Sequence, residues 1–173
     1  MRTIRLATLG AALCALLAAG TATSQASAST TGAAAPRCER EQVTWYPGSL
    51  VGRYRIAQWD MNVLVCPDKA PEDWKTNSDV EINATGSNLG VTLKQNSLTT
   101  TETGENQWNR YARYEGHLQT RSCLPKVGWP CDESENWKAW FTITVDKRTG
   151  EVNTHLQGAR TPPGATWALF RTP

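Results

Sequence analysis

The chain has 173 residues, with 18 Lys and Arg against 16 Asp and Glu and two histidines. Two of the basic residues, Arg2 and Arg5, sit in an N-terminal export signal, so the mature chain is balanced at 16 against 16. Affinity for nucleic acid rests on surplus Lys and Arg that neutralise phosphates, so a neutral chain with scattered charge argues against a nucleic-acid binder and against a polybasic membrane patch.

Arg2 and Arg5 form a short basic region, and Leu6 to Gly20 is an apolar run shorter than the roughly 20 residues that span a bilayer. Ala26-Ser27-Ala28 fits the small-x-small cleavage pattern. Cys14 lies inside the apolar run behind Leu13, where lipoprotein processing wants a small residue. The expectation is a signal peptide over 1–28, cleavage after Ala28 and a secreted, extracellular product with no membrane contact. Residues 29–36 are Ala, Ser, Thr and Gly ending in Pro. They can bury nothing and read as a disordered leader. Residues 37–173 form one domain, long enough for a real core.

Val43 to Tyr46 reads as a short first strand, stopped by Pro47-Gly48. From Gly52 to Cys66 the chain is extended, with Ala57, Trp59, Met61, Val63 and Val65 on one face, Tyr54 and Ile56 on the other, and a kink near Asp60. Pro67 to Asp79 breaks the pattern, and Pro71-Glu72-Asp73 suits the first turn of a short helix. Val80, Ile82 and Ala84 alternate up to a turn at 85–88. With Val91-Thr92-Leu93 they make a hairpin, and Asn83-Ala84-Thr85 is a formal glycosylation sequon. Residues 99–106 read as a polar loop. Trp108 to Arg121 alternates again, with Trp108, Ala112, Tyr114, Gly116 and Leu118 sharing a face with Arg110.

The clearest stretch is Trp137 to Gln157. Ala139, Phe141, Ile143 and Val145 alternate with Lys138, Trp140, Thr142 and Thr144. Val152, Thr154 and Leu156 then alternate with Asn153, His155 and Gln157. Between the arms, Asp146 suits the first position of a type I turn, and Gly150 supplies the positive φ that closes it. Thr161 to Gly164 then turns into a last strand, Ala165 to Arg171.

Cys38, Cys66, Cys123 and Cys131 make an even count in an exported chain, which reads as two disulfides. Zinc competes poorly, because no two cysteines have metal-ligand spacing. The favoured pairing is Cys38–Cys66 and Cys123–Cys131, with no metal and no cofactor. Seven or eight strands with short turns define an all-β domain, either an antiparallel barrel or a two-sheet sandwich. The order of Gly52-Arg53-Tyr54 and Arg171 is similar to lipocalin-like barrels, where a Gly-x-aromatic first strand packs near a basic residue of the last strand. That analogy implies a barrel.

Three constellations could carry function. The ring Cys123 to Cys131 presents Lys126 and Trp129 on two prolines and a disulfide, which reduces the ordering cost of binding. It resembles the nine-residue rings of Bowman–Birk inhibitors, with Lys126 one position later and Leu124 and Val127 in place of the bracing hydroxyl residues. The tryptophans come next. Trp59 and Trp108 fall on dry faces, whereas Trp74 lies in a loop and Trp140 on a polar face, where both suit a sugar or an apolar ligand. Third, His117 and His155 fall on polar faces, with Glu115 and Arg113 beside His117. Converging, they could perform acid–base hydrolysis. The leading expectation is a monomeric secreted binding protein for an extracellular ligand or protein. The alternatives are a hydrolase inhibitor acting through the ring and a small histidine-dependent hydrolase.

Overall fold

The computed structural model describes residues 37–124, 127, 130–163 and 167–171. The expected signal peptide, its cleavage after Ala28 and the 29–36 leader lie outside the described residues. Within them, nine antiparallel strands form two sheets. The first holds β1 (Glu39–Ser49), β2 (Tyr54–Arg55), β3 (Ala57–Val65), β4 (Lys75–Ile82) and β9 (Trp167–Arg171). Here β1 pairs on one side with β3 and then β2, and on the other with β9. The second sheet is a meander of β5 (Val91–Glu105), β6 (Asn109–Ser122), β7 (Glu135–Asp146) and β8 (Val152–Arg160).

The alternation read from sequence aims the inner faces at each other. Trp45, Trp59, Met61, Val63 and Val65 of the first sheet meet Ala112, Tyr114, Leu118, Trp137, Phe141, Ile143 and Val145 of the second in one buried cluster. Tyr114 stacks on Phe141 at 5.1 Å between centroids, and Trp137 meets Trp167 edge-on at 5.5 Å. Gly116 faces the partner sheet where Met61 and the Trp59 indole come closest. Both disulfides form as expected, Cys38–Cys66 and Cys123–Cys131.

The hairpin β7–β8 follows its sequence closely. Asp146 Oδ1 accepts from the amides of Arg148 and Thr149, and Gly150 sits at φ +75°. Elsewhere the structure corrects the reading. The first strand runs through Pro47, because the Pro47 carbonyl accepts from Ile56 on the β3 side. The ring nitrogen faces that same side, just where the β1–β3 ladder has ended, so no ladder bond is lost. The bend falls at Ile56, between β2 and β3, and the chain is continuous through Asp60. The segment 99–106 is not a loop. Its threonines suit an exposed edge strand, and β5 extends to Glu105.

The expected hairpin at 80–93 contains a helix, α1 (Ala84–Asn88). Asn83 caps it, its Oδ1 accepting from Gly86 at 2.9 Å while its Nδ2 donates to the Arg55 carbonyl at 2.8 Å. Trp108 is 65% exposed, not core. It sits in the β5–β6 turn, where Asn106 Oδ1 accepts from the amides of Trp108 and Asn109, and the alternation starts after it.

Among the described residues the ladders do not close into a barrel; the two sheets pack as a sandwich. Helix α1 replaces the tight turn that would zip β4 to β5. That seam is sewn by side chains instead. Asn96 Oδ1 accepts from Ser78 Oγ at 2.7 Å and Trp59 Nε1 at 3.1 Å, and Asn96 Nδ2 donates to the Ser78 carbonyl at 2.6 Å. At the opposite seam the described residues of β9 pair with the upper part of β1, from Trp45 to Ser49.

Candidate functional site: the open seam

Below β9 the seam is open. On the side away from β3, residues 39–44 of β1 pair with no strand among the described residues, and neither does the edge of β8 away from β7. Between them lies a cleft of about 340 Å³ lined by Gln42, Val43, Thr44, Thr154, Leu156 and Arg171. Its floor follows from strand alternation. Val43, Thr154 and Leu156 belong to the inward faces of their strands, while Gln42 and Thr44 turn outward on β1.

One bond spans the floor, Thr154 Oγ1 donating to Glu41 Oε2 at 2.6 Å. Arg171 closes the upper end, with its guanidinium 5.7 Å from the centre of the Trp45 ring. Trp45 keeps a buried indole N–H with no hydrogen-bond partner among the described residues. On the outer rim, Asp60 accepts from Thr44 Oγ1 at 2.5 Å, Gln42 at 3.0 Å and Gln58 at 2.7 Å. This network fixes the side chains at the mouth. A concave space in which apolar side chains, here Val43 and Leu156, meet placed polar groups is what small ligand sites share.

The residues singled out from sequence are placed elsewhere. Trp74 is buried at 4% exposure, its indole donating to the Cys66 carbonyl. It therefore has little surface to offer a ligand. Trp140 lies half-buried on the outer face of the second sheet, over Gly158. Its N–H donates to Glu115 at 3.0 Å, and Lys138 donates to the other Glu115 oxygen at 2.5 Å. The Lys138 ammonium, then the indole, hold the Glu115 carboxyl below the usual glutamate range. Lys126 and Trp129 lie outside the described residues.

His117 and His155 share that outer face but are not brought together. β7 runs between their strands, with His117 opposite Lys138 and His155 opposite Thr142. His117 bonds to Asn136 at 3.2 Å, and Arg113 is engaged by Glu102.

The seam residues were missed because each reads as an ordinary strand position. Taking β1 to stop at Tyr46 also concealed how its lower half relates to β8. No protein-family model, curated protein or solved structure matches the chain. The two disulfides fit an oxidising compartment, and no helix among the described residues is long and apolar enough to cross a membrane.

Proposed function

We propose that the protein is a secreted binding protein that takes an extracellular ligand in the cleft between β1, β8 and β9. The observation that carries this reading is the open seam itself, a space of about 340 Å³ with Val43 and Leu156 beside the polar Gln42, Thr44, Thr154 and Arg171. Export, read from Ala26-Ser27-Ala28, would place that cleft outside the cell, where two disulfides keep the domain folded.

The test is to fill the cleft. Leu156→Trp should abolish the rise in melting temperature that a ligand gives the wild-type protein, while leaving the unliganded melting temperature within a few degrees. A ligand that stabilises both proteins equally binds elsewhere, and the reading falls.

A second reading, inhibition of an extracellular hydrolase, is favoured by one feature. On the Cys123–Cys131 ring, Leu124 is 52% exposed and Val127 73% exposed, a costly display unless something covers it. Val127→Asp should release an inhibited enzyme without changing the fold. Cleft ligands would be untouched by it.

A further inference from the structure

We infer that a second site, separate from the seam, lies in a groove on the outer face of the first sheet, and that it takes an acidic sugar, a pyranose ring carrying one carboxylate. This goes beyond the cleft reading and does not depend on it.

The groove follows from strand alternation and register. Ala57, Trp59, Met61, Val63 and Val65 are the buried positions of β3, so Asp60, Asn62 and Leu64 point outward. β1 and β4 flank them in register. Arg40 stands opposite Leu64, and Leu64 opposite Lys75. Gln42 stands opposite Asn62, and Asn62 opposite Asn77. Thr44 stands opposite Asp60, and Asp60 opposite Asp79. The result is a cationic row, an amide row and an acidic row, each roughly 6.6 Å from the next. The space over them is about 220 Å³, and its lining includes Arg40, Asn62, Leu64, Lys75, Asn77 and Asp79.

The rows differ in what they leave unused. Asp60 is heavily engaged, accepting from Thr44, Gln42 and Gln58. Asp79 accepts from Asn77 Nδ2 at 2.5 Å. The side chains of Arg40, Lys75 and Asn62 make no hydrogen bond or ion pair among the described residues. Arg40 and Lys75 stand about 9.6 Å apart at Cα, two strand spacings, on either side of the exposed Leu64. Both side chains are long enough to bring their charged ends over it.

Two unpaired cations flanking an apolar side chain suit one anionic group, held by the Arg40 fork on one side and the Lys75 ammonium on the other. A long polyanion laid along β3 would meet Asp60 and Asp79 two rows on and be repelled. The row beside the cations is made of amides, and an amide offers donors and an acceptor together. Asn77 already donates to Asp79, which leaves its carbonyl open, whereas Asn62 offers both ends. A sugar hydroxyl also donates and accepts, so a ring with adjacent hydroxyls matches this row while its C–H face packs on Leu64. The space is smaller than the roughly 300–1,000 Å³ of pockets for drug-sized ligands, which suits a single ring. A carboxylate and hydroxyls on one ring define a hexuronate.

The probe is methyl β-D-glucuronide, titrated into the mature protein while backbone and side-chain amide shifts are followed by NMR. Methyl β-D-glucoside supplies the ring without the carboxylate, and acetate the carboxylate without the ring. Saturable shifts at Asn62 and Asn77 are expected with the glucuronide, and either control should bind about tenfold more weakly. Arg40→Gln combined with Lys75→Met, both at exposed positions, should bring the glucuronide down to the level of the glucoside without lowering the melting temperature. Leu156→Trp, which fills the seam cleft, should leave glucuronide binding unchanged.

Equal affinity for the glucuronide and the glucoside, or for the glucuronide and acetate, would overturn the proposal. So would a preference for the glucuronide that survives in the double variant, or no binding at all. γ-Aminobutyrate, whose ammonium could pair with Asp79, serves as the last comparison, and its binding more tightly than the glucuronide would overturn the sugar assignment. Shifts confined to Val43, Thr154 and Leu156 would move the sugar to the seam and remove the second site. Because Leu156→Trp separates the two places, failure of either reading leaves the other standing.

Discussion

Gly116→Ala is the substitution whose cost the structure fixes best. A Cβ built there would lie 2.2 Å from Met61 Sδ, 2.8 Å from Trp59 Cζ2 and 3.1 Å from Trp59 Cη2. The first two distances are impossible, so both side chains must shift. Overpacking of this kind costs about 1–3 kcal/mol. Moving the Trp59 indole also loosens its bonds to Ser78 and Asn96, about 1 kcal/mol more.

The total, about 2–4 kcal/mol, corresponds to a melting temperature lower by about 8–16 °C for a domain of this size. Equilibrium unfolding in guanidinium, followed by tryptophan emission, measures it. The reasoning also demands a rescue. Met61→Ala alone should cost about 2–5 kcal/mol, yet the double variant should lose less than the sum by more than about 1 kcal/mol, because one change makes room for the other. A loss below about 1 kcal/mol for Gly116→Ala, or strict additivity in the double variant, would refute the packing argument.

Three further outcomes are expected. Replacing Cys38 and Cys66, 28 residues apart, by Ser should cost about 3–4 kcal/mol by chain entropy; replacing Cys123 and Cys131, 8 apart, should cost less, both read from denaturant midpoints. Asn83→Ala removes both the α1 cap and the bond to Arg55 and should cost about 1–2 kcal/mol, measured in the same way. Lys138 first, and the Trp140 indole second, lower the Glu115 pKa, so this carboxylate adds stability above its unfolded-state pKa and loses it as pH falls through its lower folded value. Tryptophan emission should therefore change in acid with a midpoint below about 4.3, and Glu115→Gln should erase that step.

What could be read from the sequence was whatever depends on period-2 alternation. Ala57 to Val65 and Ala139 to Val145 announce buried faces because each inward position is apolar, and the structure buries them. Asn83 and Pro47 were harder. Asn83 was read as a strand residue and a sequon, although its position before a short polar run also fits a helix cap. Pro47 signals a stop only if its missing donor is needed, and need depends on where a neighbouring strand ends. The cleft was least legible. It is made by partners that do not meet, and no property of Thr154 or Gln42 records the absence of a neighbour. The outer-face residues His117, Glu115 and Trp140 attracted attention because polar side chains look purposeful in sequence, whereas here Glu115 is taken up by Trp140 and Lys138, and His117 by Asn136.

The paired seams also bear on solubility. An exposed strand edge invites another molecule to continue the sheet, the first step of ordered aggregation. A sandwich of two open sheets would ordinarily turn such edges to solvent. Here β4 faces β5, and the unpaired stretch of β1 faces β8. At the sewn seam Asn96 occupies the Ser78 carbonyl, which removes that acceptor from competition. At the open seam the two edges flank one slit that the Thr154–Glu41 bond crosses, with Arg171 at its upper end. A strand from a second molecule that approached either edge would have to displace that bond. Widening the slit, for example by cutting the Thr154–Glu41 bond with Thr154→Val, should raise the rate of fibril formation on mild heating.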